Sequence, residues 1–231
     1  MRLLDLFCCA GGAGKGYADT GFEVVGVDIR PQPRYPFEFI QADVLGLDPA
    51  FVRSFDAIHA SPPCQGYTAL RHAPGTKGAP QLIDAVRDML EASSRPYVIE
   101  NVEDARGAMR APVTLCGSSF GLGWQEGETW FELQRHRLFE ANWPLVAPAC
   151  QHSGAPVIGV YGGHARNRSA IHGGRGTRDV WTGGHKAAAK TAMGMPWATL
   201  EEVSEAIPPT YTRVIGRQLR AHLEREHRTA A

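Results

Sequence analysis

Residues 2–28 constrain the chain most, because they read as strand, glycine-rich turn, helix and a second strand that ends on an acid. Arg2-Leu3-Leu4-Asp5-Leu6-Phe7 is a short, mostly apolar run of the kind buried in a parallel sheet. Ala10-Gly11-Gly12-Ala13-Gly14 forms the turn, and a helix is expected to about Thr20. Residues 22–28, Phe-Glu-Val-Val-Gly-Val-Asp, make the second strand. Residues 37–40, 55–60 and 96–100 supply three more strand-like runs. Residues 79–93 carry helical spacing, with Leu82, Ala85, Val86, Met89 and Leu90 on one face. Strands alternating with helices or crossovers predict an α/β fold, a largely parallel sheet with helices on both faces.

The chain has 231 residues, enough for one domain or one domain with a small appendage. At 43% apolar and 21% charged it is composed as a folded protein, not a disordered one. It has no continuous apolar run long enough to span a bilayer and no apolar leader, so neither a membrane segment nor a signal peptide is expected. Five cysteines, an odd number, fit a reduced protein, and the expected location is cytoplasmic. The formal net charge of +0 neither favours nor excludes nucleic acid. Residues 161–190 are different. They are rich in Gly, His and Arg and hold Arg166, Arg168, Arg175, Arg178, Lys186 and Lys190 against Asp179 alone. The expected organisation is a catalytic and cofactor-binding domain over 1–142, a small loop-rich lobe over 143–199, and a helical segment over 200–231 that packs back on the first part. Pro208-Pro209 interrupts that last segment.

In open α/β sheets ligands bind beyond the carboxyl ends of the strands. Asp28, Asp43, Cys64 and Glu100 all fall at such ends, so residues scattered in sequence converge in space. Glycine turns of this type serve phosphate cofactors, dinucleotides and adenosyl sulfonium cofactors alike. A P-loop is excluded, because Lys15 is followed by Gly16. An acid ending the second strand suits two ribose hydroxyls and favours an adenosine-containing cofactor. Ser61-Pro62-Pro63-Cys64-Gln65 fixes the backbone with two prolines and sets a cysteine in an exposed loop, a candidate nucleophile. Tyr97-Val98-Ile99-Glu100-Asn101-Val102 ends a strand on a carboxyl suited to acid catalysis or to clamping a ligand. Alternation in Arg135-His136-Arg137 puts two guanidiniums on one strand face, suited to a phosphate or carboxylate. Cys116, Cys150 and His152 are donor types for a metal, but their spacing matches no standard zinc site, so no metal is expected.

The order Asp5-Leu6-Phe7, Gly11-Gly12, Pro62-Pro63-Cys64-Gln65, Glu100-Asn101-Val102, Arg135-x-Arg137 and Ala206-Ile207-Pro208-Pro209 with Ile215-Gly216 resembles the cytosine-C5 DNA methyltransferase family. The resemblance implies a Rossmann-like sheet that binds S-adenosylmethionine and releases S-adenosylhomocysteine. It implies Phe7, Gly11, Gly12 and Pro62 around the cofactor, Asp28 on its ribose and Asp43 on its adenine. It implies Cys64 as the nucleophile, Glu100 on the cytosine ring, and Arg137 with its partner Arg135 positioning the base. The substrate implied is double-stranded DNA with the cytosine flipped out of the stack, as a duplex base is otherwise unreachable. The stretch after Cys64, with Gln65 and Arg71, corresponds to a loop that closes over DNA. The basic lobe with Arg166, Arg168, Arg175 and Arg178 corresponds to the target-recognition region. One branch of the family acts on tRNA, which makes RNA the rival substrate. Rivals of other classes are a DNA-binding module without activity and an unrelated adenosyl-cofactor protein. No obligate partner protein is expected, and the chain is read as a monomer. The sequence departs from the family pattern at Cys9, Leu133 and Glu205, where the family has Gly, Gln and Asn.

Overall fold

All five apolar runs become strands in the computed structural model, which describes residues 1–68, 78–161 and 185–230. They are β1 (Arg2–Leu6), β2 (Glu23–Asp28), β3 (Glu38–Gln41), β4 (Ala57–Ala60) and β5 (Tyr97–Asn101). Strands β4 and β5 are buried throughout, and β1 and β2 in all but their first residue, as a sheet covered on both faces requires. Then come β6 (Val113–Leu115), a hairpin of β7 (Gly123–Glu126) and β8 (Thr129–Glu132), and β9 (Arg137–Ala141). The main sheet runs β3-β2-β1-β4-β5-β9-β6. Its first five strands are parallel, and β9 is antiparallel to both of its neighbours. Sheet growth reverses between β1 and β4, which is where an open α/β sheet leaves a crevice for a ligand.

Helices α1 (Gly12–Ala18), α2 (Pro49–Arg53) and α3 (Ile83–Ser93) provide crossovers, followed by α4 (His185–Met193), α5 (Leu200–Glu205) and α6 (Pro209–Ala230). One apolar cluster joins β1, β2 and β4 to α3. A second, on the opposite face, joins the sheet to α1 and α6. A third gathers Phe131, Leu133, Ile158 and Val160 with α4 and α5, and so draws on both sides of residue 142.

Three expectations change. Helix α3 starts at Ile83, because residues 79–81 instead pack on the loop after Cys64, with Gln81 Nε2 donating to Gly66 O at 2.9 Å. Its inner face is Ile83, Val86, Arg87 and Leu90, while Ala85 is exposed. Arg87 can be buried because Glu140 accepts from Nε at 2.7 Å and Nη2 at 2.9 Å. The lobe expected to be loop-rich over 143–199 is helical over His185–Met193, so Lys186 and Lys190 sit on α4.

The C-terminal helix lies against α1 because glycine removes the side chain on the shared face. A Cβ at Gly16 would stand 2.1 Å from Pro209 O and from Thr212 Oγ1. Thr212 Oγ1 also donates to Ala13 O at 2.8 Å. Pro209 opens α6 at the position where a missing N–H costs nothing.

Candidate active site

A cavity of about 410 Å³ opens at the carboxyl ends of the strands. Asp5, Phe7, Gly12 and Asp28 line one part of it, and Pro62, Cys64, Glu100 and Arg137 another. The segment from Ser204 to Ile207 supplies a further wall.

Around β1 and β2 the chain is bent tightly. Phe7 and Cys9 take left-handed backbone angles, φ 58° and 44°. At Cys9, where the resembled family has glycine, the bend lets the backbone N–H reach Asp28 Oδ2 at 3.1 Å. Arg30 N donates to Asp28 Oδ1 at 2.9 Å. The Asp28 carboxylate is thereby fixed at the cavity wall. Asp5 is fully buried and receives Tyr35 O–H on Oδ2 at 3.0 Å, but its Oδ1 has no partner. Burial, which opposes charge, pushes Asp5 up to about 8, so it is largely neutral at pH 7. An orphaned buried carboxyl atom on a cavity residue is a place for a ligand to complete.

Gly11 and Asp43 do not line this cavity. Gly11 caps α1 at φ 81°, and a Cβ there would stand 2.8 Å from Pro36 Cδ. Asp43 is exposed, two residues beyond the β3 partner of Asp28, and its carboxylate caps a short turn by accepting from Leu45 N at 3.1 Å.

The second half is built by β4 and β5. Ser61 N donates to Leu6 O at 3.1 Å, which anchors the loop after β4. Asn101 Nδ2 donates to Pro62 O at 2.9 Å and ties the two prolines to the end of β5. Cys64 is half-buried, and burial followed by the charge of Glu100 pushes its thiol up, while Arg137 pulls it down. Glu100 is buried, so its carboxyl is raised, with the charge of Arg137 and a hydrogen bond from Ser61 opposing. Arg137 Nε stands 3.3 Å from Glu100 Oε1. Behind Ser61 lies His59, fully buried and held neutral, lowered to about 3 by desolvation. Its Nε2 meets Ser61 Oγ at 2.9 Å and its Nδ1 meets Tyr17 Oη at 3.1 Å. The imidazole bridges Ser61 to Tyr17 through its two ring nitrogens. A buried relay thus holds Glu100 from behind.

Arg135 is reassigned. It precedes β9, so strand alternation does not bring it to the face of Arg137. It is buried, with Nε donating to Ala206 O at 2.9 Å, Nη1 to Val160 O at 2.5 Å and Nη2 to Ser204 O at 2.7 Å. It holds the cavity wall from behind and does not line the cavity. Gln65 is exposed at the rim. Arg71, Arg166, Arg168, Arg175 and Arg178 lie outside the described residues. Of the other departures, Glu205 lies 3.6 Å from Arg30 Nη2 across the mouth, and Leu133 belongs to the third core cluster.

Ser61, Asn101, Asp5 and His59 are site residues that sequence reasoning missed. Ser61 and Asn101 adjoin the singled-out cysteine and glutamate. Asp5 and His59 face each other in register, two polar residues in apolar central strands, and that is the signal that marks them.

The sheet order and the crevice define a class: the Rossmann-like α/β fold of S-adenosylmethionine-dependent methyltransferases. Solved structures share that fold. Dnmt2 methyltransferase of S. pombe superposes with TM-score 0.56 at 12% identity, covering 96% of this chain and 98% of that one. Spodoptera frugiperda DNMT2, as an E260A/E261A/K263A mutant, gives 0.55 at 13%, covering 94% and 99%. The Entamoeba histolytica methyltransferase EhMeth gives 0.57 at 10%, covering 96% and 98%. No family model and no curated protein matches the sequence. At these identities the likeness is one of fold. No helix among the described residues is long and apolar enough to cross a membrane.

Proposed function

We propose that the protein transfers a methyl group from S-adenosylmethionine to C5 of cytosine in DNA. The observation that carries this reading is the sharing of one crevice by Cys64, Glu100 and Arg137 beside Asp28 and the orphaned Asp5 Oδ1. The residues present fit the cofactor: Asp28 for the ribose, Phe7 and Gly12 for the walls, and Asp5 as a buried polar partner. When bound, the cofactor supplies an electrophilic methyl on a sulfonium.

Cytosine C5 is too poor a nucleophile to take that methyl unaided. The Cys64 thiolate adds to C6 and makes C5 enamine-like. A protonated Glu100 gives its proton to N3 as the addition proceeds, and burial favours that protonated form. Protonation of Glu100 also removes the charge that disfavours the thiolate and leaves that of Arg137, which favours it. After C5 is methylated its proton is lost, Cys64 leaves from C6, and N3 returns its proton to Glu100. The net change is one methyl gained and one proton released. Base flipping costs a few kcal/mol, roughly the cost of unpairing and unstacking. Arginines of the basic lobe over 161–190 and of the loop at Arg71 would contact phosphates and guanines.

The test is tritiated methyl transfer from S-adenosylmethionine to duplex DNA and, in parallel, to tRNA. Transfer to DNA, abolished in Cys64→Ala, is expected. Transfer to tRNA alone would give the substrate to RNA, and activity surviving in Cys64→Ala would overturn the mechanism.

A further inference from the structure

Away from the crevice, the chain gathers Cys116, His136, Cys150 and His152, with one donor atom of each within 4.8 Å of every other. We propose that these four side chains form a structural zinc site of Cys2His2 type. Three separate segments contribute. Cys116 follows β6, His136 immediately precedes β9, and Cys150 and His152 lie on the loop beyond Trp143.

The geometry suits a tetrahedral ion. Cys150 Sγ stands 2.9 Å from His152 Nε2 and 3.3 Å from His136 Nε2, and Cys116 Sγ stands 3.5 Å from His152 Nε2. With Zn–S near 2.3 Å and Zn–N near 2.0 Å, the edges of such a tetrahedron are roughly 3.3–3.8 Å, so the Cys150–His152 pair opens slightly and the wider pairs, out to 4.8 Å, draw in to close the site. Two thiolates with two imidazoles, in four-fold closed coordination, select zinc over harder cations. Both histidines present Nε2. Behind His136, Glu103 Oε2 lies 3.6 Å from Nδ1, close enough that a small shift on metal binding would make the carboxylate-behind-histidine hydrogen bond common at zinc. The rings of His136 and His152 lie 5.2 Å apart between centroids. Neither cysteine is in a disulfide.

The spacing hid the site because His136 sits between two arginines, and the three gaps between the four residues follow no finger pattern. Its position gives the ion a purpose. His136 is flanked by Arg135, which holds the cavity wall, and by Arg137, which faces Glu100. An ion on His136 would staple the start of β9 to two distant loops, without entering the cavity.

The experiment is metal analysis of the full chain, purified under reducing conditions without chelator. About one zinc per chain is expected, falling at least tenfold in Cys150→Ser and in His152→Ala. Cobalt(II) substituted into the wild type should give the intense visible bands of tetrahedral coordination and a sulfur-to-cobalt charge-transfer band, both weakened in Cys150→Ser. The cobalt spectrum of the wild type keeps the proposal testable if the variants fail to fold. Absence of zinc in wild type with no cobalt signature, a Cys116–Cys150 disulfide in the reduced preparation, or stoichiometric iron would each overturn it. None of these outcomes bears on methyl transfer, which the tritium assay decides separately.

Discussion

At the scale of single residues, the site is made of ionisable groups that burial pushes towards their neutral forms. Asp5 has its carboxyl raised from 3.8 to about 8. A raised carboxyl contributes stability that is fully present below the unfolded value and lost as pH rises through the folded one. Between about pH 4 and pH 8 the ligand-free protein should therefore lose up to about 1.4 kcal/mol per pH unit from this group. Denaturant melts across that range should slope less steeply in Asp5→Asn, and an unchanged slope would contradict the assignment. Ser61 holds Glu100 the other way, its hydrogen bond lowering a carboxyl that burial raises. Ser61→Ala should move the Glu100 titration to higher pH, followed by carbon-13 NMR of the labelled carboxyl. A downward or null shift would remove Ser61 from the relay.

Elements set where these residues point, and here the sequence was legible in part. Asp28, Cys64 and Glu100 stand out in the sequence because each ends or follows an apolar run, and the sheet brings all three to one cavity. Arg135 stands behind the wall and not in the cavity, because its partners are main-chain carbonyls 25 to 71 residues away that no local pattern encodes, although its charge still reaches Glu100 and Cys64. The inner face of α3 was shifted for a similar reason: Arg87 looks like a surface residue until Glu140 on β9 is placed beside it. His59 and Asp5 look like flaws in buried strands until their register is known. The contact of α1 with α6 is an element-scale device whose glycines the sequence shows but whose pairing it does not. Gly16→Ala drives a Cβ against backbone atoms at Pro209 and Arg213. It should cost about 1–3 kcal/mol or more, as overpacking does, measured by denaturant unfolding. A neutral result would mean the helices separate without penalty.

Across the whole molecule, one buried guanidinium links lobes that the sequence separates. Arg135 joins the start of β9 to Val160, Ser204 and Ala206, and Tyr211 Oη donates back to Arg135 O at 2.5 Å. A lysine cannot serve three carbonyls in that fixed planar array. Arg135→Lys should therefore lower global stability by about 1–3 kcal/mol, the cost of buried acceptors left unpaired, and loosen the wall from Ser204 to Ile207. Hydrogen exchange should rise at residues 204–207 while β1 to β5 stay protected. Exchange unchanged at the wall would return Arg135 to the cavity. The central claim is that Cys64 Sγ bonds to C6 of a flipped cytosine. Duplex DNA carrying 5-fluorocytosine at the target blocks loss of the C5 substituent, and so should hold the enzyme in a complex that survives denaturing gel electrophoresis. The account predicts that complex with S-adenosylmethionine present, with the adduct mapped by mass spectrometry to Cys64 and absent in Cys64→Ala. Methylation of ordinary DNA without any trapped species on the fluorinated duplex would contradict it.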